Sequence, residues 1–96
     1  MLFALICKDK PGSLDVRMAN RPDHLAFLES LGDKLKAGGP LTDDSGSPIG
    51  SMVIIEAENR PQVETLAKKD PYAIAGLFDS VEITAWNWIL NNPESA

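Results

Sequence analysis

The chain has 96 residues, 44% of them hydrophobic and 24% charged, with a formal net charge of −5. That length makes one domain, read as residues 1–90 with a flexible tail at 91–96. The acidic balance excludes a nucleic-acid surface and an anionic membrane surface.

A single cysteine, Cys7, rules out an internal disulfide and any multi-cysteine metal site. No apolar run reaches membrane length, and Met1 to Lys8 carries no basic leader. The expectation is a cytoplasmic protein without a signal peptide.

Leu2 to Cys7 is a continuous apolar run that ends in the turn signal Lys8-Asp9-Lys10-Pro11-Gly12. It reads as a strand buried on both faces. Ser13 or Asp15 can cap the helix that follows. Pro22 lacks a backbone donor and crowds the Met18 carbonyl, which predicts a kink or break, with Asn20 capping a second segment. The helix then runs to about Lys36. Positions 17, 21, 24, 28, 31 and 35 share its inner face. That face begins polar (Arg17, Arg21, His24) and turns apolar (Leu28, Leu31, Leu35).

Leu35 to Leu41 reads as a short second strand interrupted by glycines, and 42–48 as a loop. Gly50 to Ala57 is a third strand, with Val53 and Ile55 opposite Met52 and Ile54. Asn59 caps a second helix with Pro61 just inside it, and Asp70-Pro71-Tyr72 ends it. Its apolar stripe is Val63, Leu66 and Ala67. Ala73 to Phe78 reads as a short helical turn. Val81 to Leu90 is the last strand.

The order strand, helix, strand, strand, helix, strand predicts a ferredoxin-like βαββαβ α+β sandwich. Its four-stranded antiparallel sheet carries both helices on one face. The strands are apolar on both faces, so the uncovered face predicts a homodimer.

The same topology gathers Lys8, Arg17, Arg21, His24, Gly39, Pro40, Asp43, Asp44, Ser51, Asp70 and Tyr72 at one rim. His24 is the only histidine. A carboxylate beside an imidazole fixes its tautomer and stabilises its protonated form. Arg17 or Arg21 can hold an anionic or polar small molecule, and Ser51 or Tyr72 can orient it. Plainer readings stand beside these. His24 can be a half-buried polar residue, Asp70 a helix stop, and either arginine solvated or paired with a neighbouring carboxylate. Gly39 and Pro40 can be a simple strand bend. Asp43 and Asp44 lack the spaced ligand series of a calcium loop. Cys7 reads as buried and inert, and the tryptophans as dimer core.

Arg-Pro-Asp-His at 21–24, Gly-Gly-Pro at 38–40, Gly-Ser at 50–51 and Asp-Pro-Tyr at 70–72 follow one another in the order of a known motif set. With these motifs the chain resembles the YciI-like, or YCII-related, family over nearly its whole length. The resemblance implies a dimeric α+β barrel. It also implies a His–Asp dyad that maps onto His24 and Asp70. Similar proteins include a dehydrochlorinase acting on a chlorinated hydroxyhydroquinone, and muconolactone isomerases share the fold.

The function expected on this basis is cofactor-independent and metal-free acid/base chemistry on a small cyclic or enolisable compound. It covers isomerisation, elimination or hydrolysis. The alternatives are a non-catalytic small-molecule-binding module and a purely structural dimer.

Overall fold

The computed structural model describes residues 1–94. Ser95 and Ala96, the end of the expected tail, lie outside the described residues. The elements run β1 (Leu2–Asp9), α1 (Leu14–Ser30), a 3-10 turn (Gly32–Lys34), β2 (Leu35–Thr42) and β3 (Pro48–Glu56). Then come α2 (Arg60–Lys69), the short α3 (Pro71–Ile74) and β4 (Phe78–Trp86). The sheet order is β2-β3-β1-β4 with every pairing antiparallel, which is the ferredoxin-like α+β fold.

The core lies between the sheet and the helices. Odd-numbered residues of β1 and β3 face it: Phe3, Leu5 and Cys7 against Val53 and Ile55, with Leu28 and Val63 packed from α1 and α2. Burying these side chains supplies the main drive to fold. On the opposite face Leu2, Ala4 and Ile6 are only half-buried and Lys8 is exposed. So β1 alternates within the single chain, where its apolar run predicted burial on both faces. On the far face of β4, Glu82 and Thr84 precede Trp86, which makes that surface more polar than the tryptophans alone suggested.

Several element boundaries differ from expectation: strand pairing already starts β3 at Pro48 and β4 at Phe78, ahead of Gly50 and Val81, where a loop and a helical turn were expected. The helix α1 runs unbroken through Pro22. Met18 and Pro22 lie on its exposed side, where water can take the carbonyl that proline leaves unpaired. The Asn20 side chain donates to the Val16 carbonyl inside the same helix and caps no second segment. Gly32, at φ 58°, stops α1 before Leu35, because a glycine reaches the left-handed region without strain. Leu35 therefore sits on β2, and β4 ends at Trp86, four residues before Leu90. Beyond it, Trp88 stacks on Trp86 and donates to the Leu90 carbonyl. Lys36 binds both Glu56 and Glu94.

The second helix matches its sequence signals. The Asn59 side chain accepts the Gln62 N–H, Pro61 lies in the first turn, and Asp70 ends the helix. Among the described residues, no helix is long and apolar enough to cross a membrane.

Candidate functional site

The middle of α1 builds the site. At helical spacing Arg17, Arg21, His24 and Leu28 fall along one side. Arg17, His24 and Leu28 are buried against the sheet, while Arg21 stays exposed at the mouth. They line a cavity of about 110 Å³ whose far wall is Gly38, Gly39 and Pro40 of β2, with Ser51 and Tyr72 at its base. Pro40 is tolerated because β2 is an edge strand with ladder bonds on one side only. Pro40 stands opposite Ser51 in the sheet register. A side chain at position 50 would run into the Cys7 carbonyl, so Gly50 lets β3 approach β1 closely just before Ser51.

His24 Nδ1 is 2.9 Å from Asp70 Oδ1. An ionised carboxylate only accepts, so Nδ1 carries the proton and donates. Nε2 is then the basic nitrogen, and it has no partner among the described residues. Asp70 reaches this place because it both ends α2 and caps α3: the same Oδ1 accepts the Tyr72 backbone N–H at 2.9 Å. The Tyr72 ring stacks on the His24 imidazole, with centroids 3.9 Å apart and planes at 15°. Burial pushes the Tyr72 phenol above its ordinary range, outweighing the opposing charges of Arg17 and Arg21.

Arg17 is 3% exposed. Its Nε donates to Asp9 Oδ2 at 2.6 Å, and its Nη2 donates to Asp9 Oδ1 at 2.8 Å and to Ser51 Oγ at 2.9 Å. Burial alone would lower the guanidinium pKa. The hydrogen bonds and charge of Asp9 reverse that and leave it raised. Behind the cavity, burial and then the Asp70 charge push the Cys7 thiol up to about 12.

The structure thus brings Arg17, Arg21, His24, Gly39, Pro40, Ser51, Asp70 and Tyr72 together at one end of the sheet. Lys8 does not join them. It belongs to the even series of β1 and faces away from the helices. Asp43 is occupied in its own turn, accepting from Ser45 and Ser47, and neither it nor Asp44 lines the cavity. Met18, Leu25, Gly38 and Pro48 line it unforeseen. Asp9 is the main residue that sequence reasoning missed. Continuing the inward series Phe3, Leu5, Cys7 by one step would have found it. Among the described residues, no three His, Cys, Asp or Glu side chains are grouped to hold a metal ion.

Relatives share this chain nearly end to end. Protein YciI of Escherichia coli O6:H1 is 37% identical over 91 residues, covering 86% of this chain and 93% of that protein. An uncharacterized protein of Haemophilus influenzae is 34% identical over 89 residues, covering 84% and 91%. Among solved structures, the 5-chloro-2-hydroxyhydroquinone dehydrochlorinase of Burkholderia phenoliruptrix, in complex with 2,5-dihydroxybenzoquinone, superposes with a TM-score of 0.84. It is 40% identical, and the match covers 91% of this chain and 94% of that one. The model of the YCII-related domain matches residues 1–87. The chain is a member of the YCII-related family.

Proposed function

We propose that this protein is a cofactor-independent acid/base enzyme acting on a small, enolisable ring compound. His24 exchanges the proton through Nε2, and Asp70 orients the ring and stabilises its protonated form. Arg21 binds a negative charge on the substrate. The residues next to it on the helix surface are Arg17, Met18, His24 and Leu25, none of them acidic. Gly39 and Pro40 present backbone to the ligand, and Ser51 and Tyr72 complete the base of the cavity.

The observation that carries this reading is the 2.9 Å His24–Asp70 contact at the wall of a cavity, with the second imidazole nitrogen unpartnered among the described residues. The dehydrochlorinase supports the substrate class, because it acts on a chlorinated hydroxyhydroquinone and holds a dihydroxybenzoquinone. Elimination from such a ring suits one base. The ring first ketonises, one hydroxyl proton moving to the chlorinated carbon. A second hydroxyl then gives its proton to His24, that O–H electron pair enters the ring, and chloride departs with the electrons of the broken carbon–chlorine bond, leaving a hydroxyquinone. We further propose that the chain works in the cytoplasm as a homodimer closed over the uncovered sheet face, where Met52 and Trp86 are exposed.

Titration with 2,5-dihydroxybenzoquinone, followed by calorimetry, tests the reading. The wild type should bind. Arg21→Gln should weaken binding roughly tenfold or more, the loss of about 1.4 kcal/mol or more from one charge-assisted contact. Binding unaffected by both Arg21→Gln and His24→Asn would contradict the proposal.

A further inference from the structure

The two arginines at this site have different surroundings. Arg21 is exposed at the mouth, whereas Arg17 is buried and already committed. Three Arg17 N–H groups go to Asp9 and Ser51. The Asp9 carboxylate that meets it is itself 7% exposed. A buried guanidinium matched two-pronged by a buried carboxylate has little field left to attract a ligand. The guanidinium has another neighbour. The Arg17 Cζ atom lies 4.6 Å from the centroid of the Tyr72 ring. That is the separation of a cation–π contact.

The Tyr72 ring has two faces. His24 covers one at 3.9 Å, nearly parallel. A face so covered has no room for a guanidinium, so Arg17 occupies the other. Tyr72 is also fixed from its backbone, through the N–H donated to Asp70. The edge contact with Phe78, centroids 6.0 Å apart, limits sliding.

Among the described residues His24 has one hydrogen bond, at Nδ1. A ring held at a single point can still swing about that bond. The flat contact with Tyr72 removes this freedom and fixes where Nε2 points. Tyr72 in turn can be flat against His24 only while its far face is supported.

We infer that Asp9 and Arg17 are a positioning pair: they press Tyr72 against His24 and so aim Nε2 into the cavity. The inference gives two residues a role at the site of the proposed function, but its geometry does not depend on which ligand binds. Arg17 carries a planar, rigid fork where lysine would offer only a point charge. Neither member touches the reacting atoms. Both act through Tyr72.

The test uses the sole histidine as its reporter. In the folded wild type, the His24 ring protons lie over Tyr72 and should resonate upfield of their position in the urea-unfolded chain. Proton–carbon correlation spectra of wild type, Arg17→Met, Arg17→Lys and Asp9→Asn should show most of that displacement lost in all three variants. Tyr72→Phe, which keeps an aromatic face, should retain it. Dispersed amide signals establish which variants are folded, and the isosteric Asp9→Asn carries the test if Arg17→Met does not fold. Unmoved His24 signals in a folded Arg17→Met or Asp9→Asn would overturn the inference. So would loss of the whole fold in all three, since a local clamp is not needed for folding. Failure of the proposed function would show separately, as wild-type His24 signals that do not respond to 2,5-dihydroxybenzoquinone.

Discussion

Oδ1 of Asp70 lies 2.9 Å from Nδ1 of His24 and accepts the Tyr72 backbone N–H at the same distance. One oxygen therefore ties the end of α2 to the middle of α1 and caps α3. Removing it leaves an imidazole and a helix end without a partner. Asp70→Ala should cost about 2–4 kcal/mol, the sum of a lost cap and a lost charge-assisted bond. His24→Ala should cost roughly 1–3 kcal/mol, because it opens a gap against Tyr72 and leaves the carboxylate under-bonded. A urea-unfolding double-mutant cycle should return a coupling of about 0.5–3 kcal/mol. Additive costs would mean that the two residues do not act together.

Alkaline stability should report Cys7. Its folded thiol is pushed up to about 12 by burial and by the Asp70 charge, whereas an unfolded thiol titrates near 8.5. Between these values the unfolded chain has released its proton and the folded chain has not. The unfolded state binds fewer protons, so stability is whole below about 8.5 and falls as pH rises toward 12. The raised Tyr72 phenol adds a loss of the same sign at the upper end of the window. Urea midpoints should fall between pH 8 and pH 10.5 in the wild type and fall less in Cys7→Ala. Native Cys7 should also resist thiol reagents at pH 8 and react once the chain is unfolded. Rapid labelling of the folded protein would contradict the burial argument.

Three glycines separate backbone need from open space. At Gly50 an added methyl meets the Cys7 carbonyl, so Gly50→Ala should cost roughly 1–3 kcal/mol by overpacking. At Gly32, with its positive φ, alanine should cost about 1–2 kcal/mol. At Gly39 an added methyl meets nothing within 4 Å, and Gly39→Ala should leave the melting temperature nearly unchanged. Equal losses at all three would refute this ordering.

The uncovered sheet face predicts association. Light scattering should give the mass of two 10.4 kDa chains at micromolar concentration. Trp86→Glu, which places a charge on that face, should shift the protein toward monomer and lower its apparent stability, because association and folding are linked. A stable wild-type monomer would exclude the dimer.

The fold was legible because its punctuation is local. Asn59, Pro61 and Asp70-Pro71 set the ends of α2 by capping and by the constraint proline places on its neighbour. Pro22 misled, because the cost of proline in a helix depends on whether the freed carbonyl faces water, which sequence spacing does not reveal. The joining of His24 to Asp70 followed from topology and from motifs arranged in family order. The Arg17–Asp9 pair did not. It depends on β1 continuing its alternation through a turn-like Lys-Asp-Lys-Pro-Gly stretch, and strand ends are set by pairing with a partner strand. The stacking of Tyr72 between His24 and Arg17 is likewise tertiary, built from residues 48 and more positions apart in the chain.

The most direct measurement is chloride release from a chlorinated hydroxyhydroquinone by the wild type, His24→Asn, Asp70→Asn and the double variant. A positioned general base contributes about 10²–10⁴-fold. The wild type should release chloride, each single variant should lose activity by that order, and the double should lose little more, because the two residues work as one unit. Undiminished release by a folded His24→Asn variant would contradict this.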